Sequence, residues 1–223
     1  QPYREIVNGI LVYRFAKVSP WSQNWLLRKM KALNYLLTFR HPIWFQAIMD
    51  FVKNQRVDMI HVHDLPLVAT AIAVKRRTGI PVIVDLHENY PAALKVWREG
   101  KKLSWKEKYL FENPTRWSYY EKIILRYADH IIVVVEEAKE RVVNLGIPEE
   151  KISVVYNTES PSFWESFSLD EEILRDFEGR FVISYIGGFG PHRGLDCAIR
   201  AMVYVSKEIP KSKTGCREKS QLV

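Results

Sequence analysis

Val57–Pro91, VDMIHVHDLPLVATAIAVKRRTGIPVIVDLHENYP, is the stretch that decides the fold. It holds two short apolar runs, Met59–Val62 and Val82–Leu86. Each run carries an acid/histidine cluster: His61-Val62-His63-Asp64 in the first, Asp85-Leu86-His87-Glu88 in the second. Leu67 to Arg77 reads as a helix between them, stopped by Thr78-Gly79 before Pro81 opens the next strand. Parallel strands need such a crossover. Both polar clusters then fall at the carboxyl ends of the strands, the edge where open α/β sheets hold their ligands.

Working outward, the same alternation continues downstream. His130–Val135 (HIIVVV) reads as a buried parallel strand and Glu136–Leu145 as the helix after it. Glu136 and Glu137 complement the positive end of that helix, and Gly146 ends it. Lys151–Tyr156 reads as the next strand. Upstream, Gly9–Phe15 reads as a strand, and Asn24–Thr38 and His41–Lys53 as helices, with Pro42 suited to a first turn. The expectation is one parallel α/β sheet over residues 9–157 with helices on both faces. Lys101–Arg126 reads as one or two helices, and the run Arg98–Lys108 as a solvated charged face.

Asn157–Asp170 changes character to NTESPSFWESFSLD and reads as a linker. Phe181–Ile186 is a fresh strand, followed by Gly187-Gly188-Phe189-Gly190-Pro191-His192-Arg193-Gly194 and a helix from Leu195 to about Lys207. A glycine-rich turn between strand and helix lets backbone N–H groups approach a phosphate. Lys211–Val223 shows no strand pattern, which leaves Phe181–Ile186 without an expected neighbour. The organisation read from this is a first domain over 1–160, a linker over 161–178, the start of a second α/β domain over 179–210 and a truncated tail over 211–223. QPYREIVNGI reads as sequence from inside a domain, so residues are expected upstream.

Bulk composition narrows the function classes. The chain has 223 residues, 47% of them hydrophobic, enough for a sizeable core. No apolar run is long enough to span a bilayer. Two cysteines, Cys197 and Cys216, make no disulfide framework and point to a reducing, cytoplasmic compartment. The net charge of +7 is compatible with an anionic membrane or a phosphorylated substrate, although a basic solvated surface is the preferred reading. No signature of a nucleic-acid module is present, and no nucleic-acid partner is expected. Trp21, Trp25, Phe39, Trp44 and Phe45 lie beside basic residues. That mixture suits peripheral contact at the inner face of a membrane, but core-facing helices are preferred.

Four pieces in order, VDMIHVHDLP, TGIPVIVDLHENYP, YADHIIVVVEEAKERVVNLGIPEEKISVVYNTES and ISYIGGFGPHRGLDCAIRAM, resemble the family 4 (retaining) glycosyltransferases of the GT-B fold. The resemblance covers roughly Val57 to Met202. It implies two Rossmann-like domains, the first mostly holding the acceptor and the second a nucleotide-sugar donor. The acceptor would be a sugar, a lipid-linked glycan or another glycan. The resemblance also implies transfer with no metal and no cofactor. His87 matches the histidine that faces the reacting sugar, and Arg193 the basic residue that neutralises the donor diphosphate. Gly187 and Gly194 match the glycines framing that loop, and with Gly188 and His192 they complete the candidate donor-diphosphate site. His63, Asp64, Glu88 and Asn89 are then candidates for acceptor binding. Three departures stand out: Gly188 occupies a position where the family often has Arg, the family's first strand with its glycine-rich loop is not found upstream, and its acidic donor-sugar segment is not found downstream. Alone, the chain is therefore expected to catalyse poorly.

Rival readings remain beside this one. His61 and His63 share one strand face, and with Asp85 and His87 they make a plausible metal-dependent hydrolase cluster. The resemblance places that reading second, and no metal is expected. A third reading is a non-catalytic truncated product. Asp64 equally suits a cap on the helix after it, and His87 a satisfied histidine at a strand end.

Overall fold

The computed structural model describes residues 3–14, 25–98, 102, 104, 105, 107–165, 168, 171, 175, 177–179, 181–190, 193–208 and 212–217. They group into two compact units, Gln1–Asn157 and Thr158–Val223.

The first unit is built on a four-stranded parallel sheet, β3 (Ile60–His63), β4 (Val82–Leu86), β5 (His130–Val133) and β6 (Ile152–Val154), in that spatial order. Each strand lies beside the one before it. With right-handed crossovers, a sheet that grows in one direction receives its helices on one face. The burial follows that rule. Val62, Val82, Val84, Leu86, Ile131, Val133 and Ile152 point to one side and are buried. They join one core with residues of α3 (Val68–Thr78), α5 (Pro114–Ile124) and α6 (Glu136–Asn144). Each fully buried aliphatic side chain there contributes about 1.5–3 kcal/mol.

The other face carries His61, His63, Ile83, Asp85, His130, Ile132 and Ser153. Only Asp85 among these is buried. The expectation of helices on both faces is thus corrected: the polar face stays largely open among the described residues, because the connections around these strands all fall on the opposite side.

The N-terminal expectation is also corrected. β1 (Tyr3–Val7) and β2 (Ile10–Arg14) form a separate antiparallel hairpin, with Val7 opposite Ile10. Asn8 and Gly9 have φ of 50° and 80°, the two left-handed residues that a tight hairpin turn requires. A two-residue loop can only return the chain antiparallel, so these residues do not join the parallel sheet. Tyr13 packs edge-on against Phe51, with ring centroids 4.9 Å apart, and so fastens the hairpin to α2 (Pro42–Asn54).

Phe39 and Phe45, read as either membrane-facing or core, are both buried. Phe39 stacks on Tyr120 at 3.9 Å, while Trp44 stays exposed. Trp21, and the side chain of Trp25 in α1 (Trp25–Thr38), lie outside the described residues. One helix was not anticipated: α4 (Tyr90–Arg98) begins directly after the second polar cluster. Parts of the run Arg98–Lys108 lie outside the described residues. Beyond it, a short π-helical stretch at Glu107–Phe111 precedes α5.

Two side-chain ties brace this unit, one between helices and one between a helix and the sheet. Arg141 on α6 donates both Nη atoms to the buried Glu121 carboxylate on α5, at 2.8 and 3.0 Å. At the amino ends of the strands, Asp129 accepts Lys75 Nζ and the Val82 backbone N–H, both at 2.7 Å.

The second unit contains α7 (Pro161–Glu165), β7 (Phe181–Ile186), α8 (Leu195–Glu208) and β8 (Ser212–Arg217). The short helix α7 lies inside the segment read as linker. β7 and β8 pair in parallel, from Phe181 opposite Ser212 to Ile186 opposite Arg217. The tail reading is corrected accordingly: Ser212–Arg217 is a strand and Phe181–Ile186 has a neighbour. Its sequence, SKTGCR, shows no apolar alternation. Ladder hydrogen bonds come from the backbone and need none.

Candidate functional site

The residues that converge lie at the carboxyl ends of β3 and β4. Register places His63 opposite Asp85, and the two-residue spacing puts His61 on the same face. Asp85 is the hub. Its Oδ2 lies 3.0 Å from His61 Nε2, 3.4 Å from His63 Nδ1 and 3.3 Å from His87 Nε2. His63 Nδ1 and His87 Nε2 are 3.1 Å apart. The three imidazoles form a near-parallel stack, with centroids 4.7 Å apart for His61–His63 and 5.4 Å for His63–His87. Asp85 is 8% exposed, whereas the three imidazoles face solvent.

Asp64 shapes the loop between them. Its side chain makes no cap for the turn at Leu65–Leu67, so the capping alternative is corrected. Instead Oδ1 accepts the backbone N–H of His87 at 3.2 Å, while its own N–H donates to the Asp85 carbonyl at 2.8 Å. Its φ of 59° and ψ of 164° lie in a region used almost only by glycine. That conformation turns the chain away from the sheet plane and sends the carboxylate across to the neighbouring loop.

Glu88 is half-buried beside this loop. Burial pushes its carboxyl up, the Asp64 charge adds to that, and His87 opposes it. Tyr90, at the start of α4, is pushed up to about 12 by burial and by the negative groups around it. Asn89 has a structural duty: its Oδ1 accepts the Ala92 N–H at 3.2 Å at the head of α4.

In the second unit, the loop after β7 turns back on itself. Tyr185 Oη donates to the Gly188 carbonyl at 3.0 Å, and the Arg193 N–H to the Gly190 carbonyl at 2.9 Å. A Cβ at Gly187 would lie 2.7 Å from Tyr185 Oη, so a side chain there would have to shift the ring. Gly188 has no such neighbour within 4 Å. Gly194 has φ of 67° and leads into α8, with Arg193 exposed just before it. His192 lies outside the described residues.

His63, Asp64, His87 and Glu88 are thus gathered around Asp85 and His61, and Arg193 with Gly187, Gly188 and Gly194 forms a separate loop in its own unit. Asp85 was absent from the favoured site read from the sequence and appeared only in the rival metal cluster. The signal that finds it is the matched pair of His-x-His and Asp-x-His spacings on adjacent parallel strands.

Comparison with known proteins agrees with this architecture. The family described as Glycosyltransferase Family 4 matches residues 10–158. An uncharacterized glycosyltransferase of Bacillus subtilis (strain 168), YqgM, is 28% identical over 160 residues, which are 70% of this chain and 38% of that relative. The chain therefore spans well under half the length of the curated relative it matches. With two thirds of its residues matched by the family, the chain belongs to glycosyltransferase family 4.

Proposed function

We propose that this chain takes part in transferring a sugar from a nucleotide-sugar donor to a sugar, lipid-linked or other glycan acceptor, with retained configuration. The observation that carries the reading is the gathering of His63, Asp64, His87 and Glu88 at the carboxyl ends of β3 and β4, in a chain of this family. Departure of a nucleoside diphosphate builds negative charge on the leaving phosphate and positive charge on the sugar ring. Arg193 and the first N–H groups of α8 suit the former. The imidazole of His87 and the carboxylates near it suit orientation of the sugar and acceptor beside the latter. Asn89 supports the loop as a helix cap. No cofactor is needed in this scheme. Among the described residues no helix is long and apolar enough to cross a membrane. A lipid-linked acceptor would be met by peripheral contact, at the inner face of a membrane in a cytoplasmic setting.

Much of the rate in such a reaction comes from holding donor and acceptor together. The loop at Gly187–Gly194 offers a diphosphate a few charge-assisted hydrogen bonds of about 1.5–3 kcal/mol each, which on an exposed loop give affinity in the millimolar range. Calorimetry of the chain with UDP and GDP tests this. Millimolar binding that disappears in Arg193→Ala supports the donor assignment. Binding unchanged in Arg193→Ala overturns it, and micromolar affinity would reveal a nucleoside pocket that this reading does not include.

A further inference from the structure

We infer that a basic pocket at the amino ends of the strands binds a phosphate monoester through Arg76, Arg126 and Lys151. The pocket lies at the edge of the sheet opposite His63 and His87. The inference therefore stands independently of the transfer reading, and its ligand leaves the carboxyl edge free.

Chain order builds the pocket. α3 ends shortly before β4, the turn at Leu125–Tyr127 ends shortly before β5, and Lys151 directly precedes β6. Side chains from all three places meet at one edge. Four cations, Lys75, Arg76, Arg126 and Lys151, line the pocket against one carboxylate, Asp129.

Charge accounting carries the argument. The Asp129 carboxylate is already occupied by Lys75 Nζ and the Val82 N–H. Lys75 Nζ also donates to the Tyr127 carbonyl at 3.0 Å, so this lysine is tied down. Of the acids next to Lys151 in sequence, Glu149 pairs with Lys139 and Glu150 does not line the pocket. The one hydrogen bond of Lys151 among the described residues goes to the Ala128 carbonyl, at a long 3.4 Å. Arg76 lies over the Tyr127 ring, 4.7 Å from its centroid. Neither Arg76 nor Arg126 has a hydrogen bond or an ion pair among the described residues. Three positive charges thus converge with no free anion in the pocket to answer them. Basic residues in the last turn of a helix complement its negative end. That accounts for Lys75 and Arg76, but Arg126 and Lys151 come from other elements.

The ligand class follows from charge and size. A guanidinium offers a planar fork that fits phosphate oxygens in pairs, and stacking on a ring leaves its N–H edges free. A phosphate monoester carries about −1.5 to −2 at pH 7, which answers three cations better than a carboxylate or a diester does. Ile72 and Ala128, each 2% exposed, form an apolar floor with Tyr127 beside them, suited to the carbon part of the ester. The cavity of about 260 Å³ falls just below the roughly 300–1,000 Å³ usual for drug-sized ligands. It suits a small ester rather than a whole nucleotide: a phosphorylated sugar, or the headgroup of a phosphatidic acid.

The test is calorimetry of the whole chain with glucose 6-phosphate and with glucose. Beside it stands flotation on phosphatidylcholine vesicles carrying phosphatidic acid or, at matched surface charge, phosphatidylglycerol. Sub-millimolar binding of glucose 6-phosphate, absent for glucose, identifies a soluble ligand. Flotation with phosphatidic acid in its absence identifies a lipid headgroup. In either arm Arg76→Ala and Arg126→Ala should each weaken binding by about tenfold or more. Arg193→Ala should leave it unchanged, which separates this site from the loop after β7. Both Arg76 and Arg126 are exposed, so their truncation spares the core, and circular dichroism checks that each variant is folded. Binding in neither arm, equal binding by the Arg76→Ala/Arg126→Ala double variant, or phosphatidylglycerol as effective as phosphatidic acid overturns the inference.

Discussion

The carboxylate of Asp64 accepts the backbone N–H of His87 at 3.2 Å, so the loop after one strand fixes the loop after the next. This bond is made from a backbone conformation that is itself costly. The two effects can be separated by substitution. Asp64→Ala keeps the strain and loses the bond, and should cost about 1.5–3 kcal/mol. Asp64→Gly loses the same bond but relieves strain of about 1–3 kcal/mol, and should be markedly less destabilising. Urea midpoints of the two variants decide the matter; glycine equal to or worse than alanine would refute the strain assignment.

The Glu121–Arg141 pair makes a sharper stability prediction. Glu121 is 1% exposed and receives both guanidinium donors. Arg141→Ala leaves a buried carboxylate unpaired and should cost about 3–5 kcal/mol. Replacing both residues by leucine should cost less than Arg141→Ala alone, since no uncompensated charge remains. Denaturant unfolding of the single and double variants measures this, and a double variant less stable than the single would contradict it.

Asp129 gives a pH dependence with a definite sign. Burial raises its pKa, but the bonds from Lys75 and the Val82 N–H, with the charges of Lys75 and Lys151, outweigh that and hold it below its ordinary 3.8. Its folded-state pKa is therefore the lower one. The stabilisation is fully present above the ordinary value and is lost as pH falls through the folded value. Asp129→Asn should accordingly be less stable than the parent at pH 6, and the gap should shrink as pH falls below 3.8. A gap that widens in acid would exclude this role.

The loop of the second unit predicts opposite outcomes at neighbouring glycines. Gly187→Ala brings Cβ to 2.7 Å from Tyr185 Oη and should displace the ring. A Cβ at Gly188 would meet nothing within 4 Å, so Gly188→Arg should leave the loop folded. If the loop binds a diphosphate, that arginine adds one charge-assisted contact and should tighten UDP or GDP by about tenfold or more. Unchanged affinity in a folded Gly188→Arg variant would place the diphosphate elsewhere.

Periodicity and punctuation alone determined much of the first unit. Apolar runs at Met59–Val62, Val82–Leu86 and His130–Val135, the first and last followed by a helical pattern and a glycine stop, dictate parallel strands joined by crossovers. Gly79 and Gly146 do end their helices with φ of 75° and 88°. The sharing of one edge by His63 and His87 follows from that topology and was legible too. The hairpin was legible in principle, because Val7-Asn8-Gly9-Ile10 carries its turn signal. It was missed because the strands beside it are short and weakly patterned.

Tertiary structure alone decided the rest. The open polar face depends on strand order, which local pattern does not encode. β8 was invisible because ladder hydrogen bonds use backbone groups that every sequence has. The convergence of three imidazoles on one oxygen of Asp85 depends on register between strands more than twenty residues apart in sequence. Spacing along one strand says which face a side chain takes; only pairing says what stands opposite it.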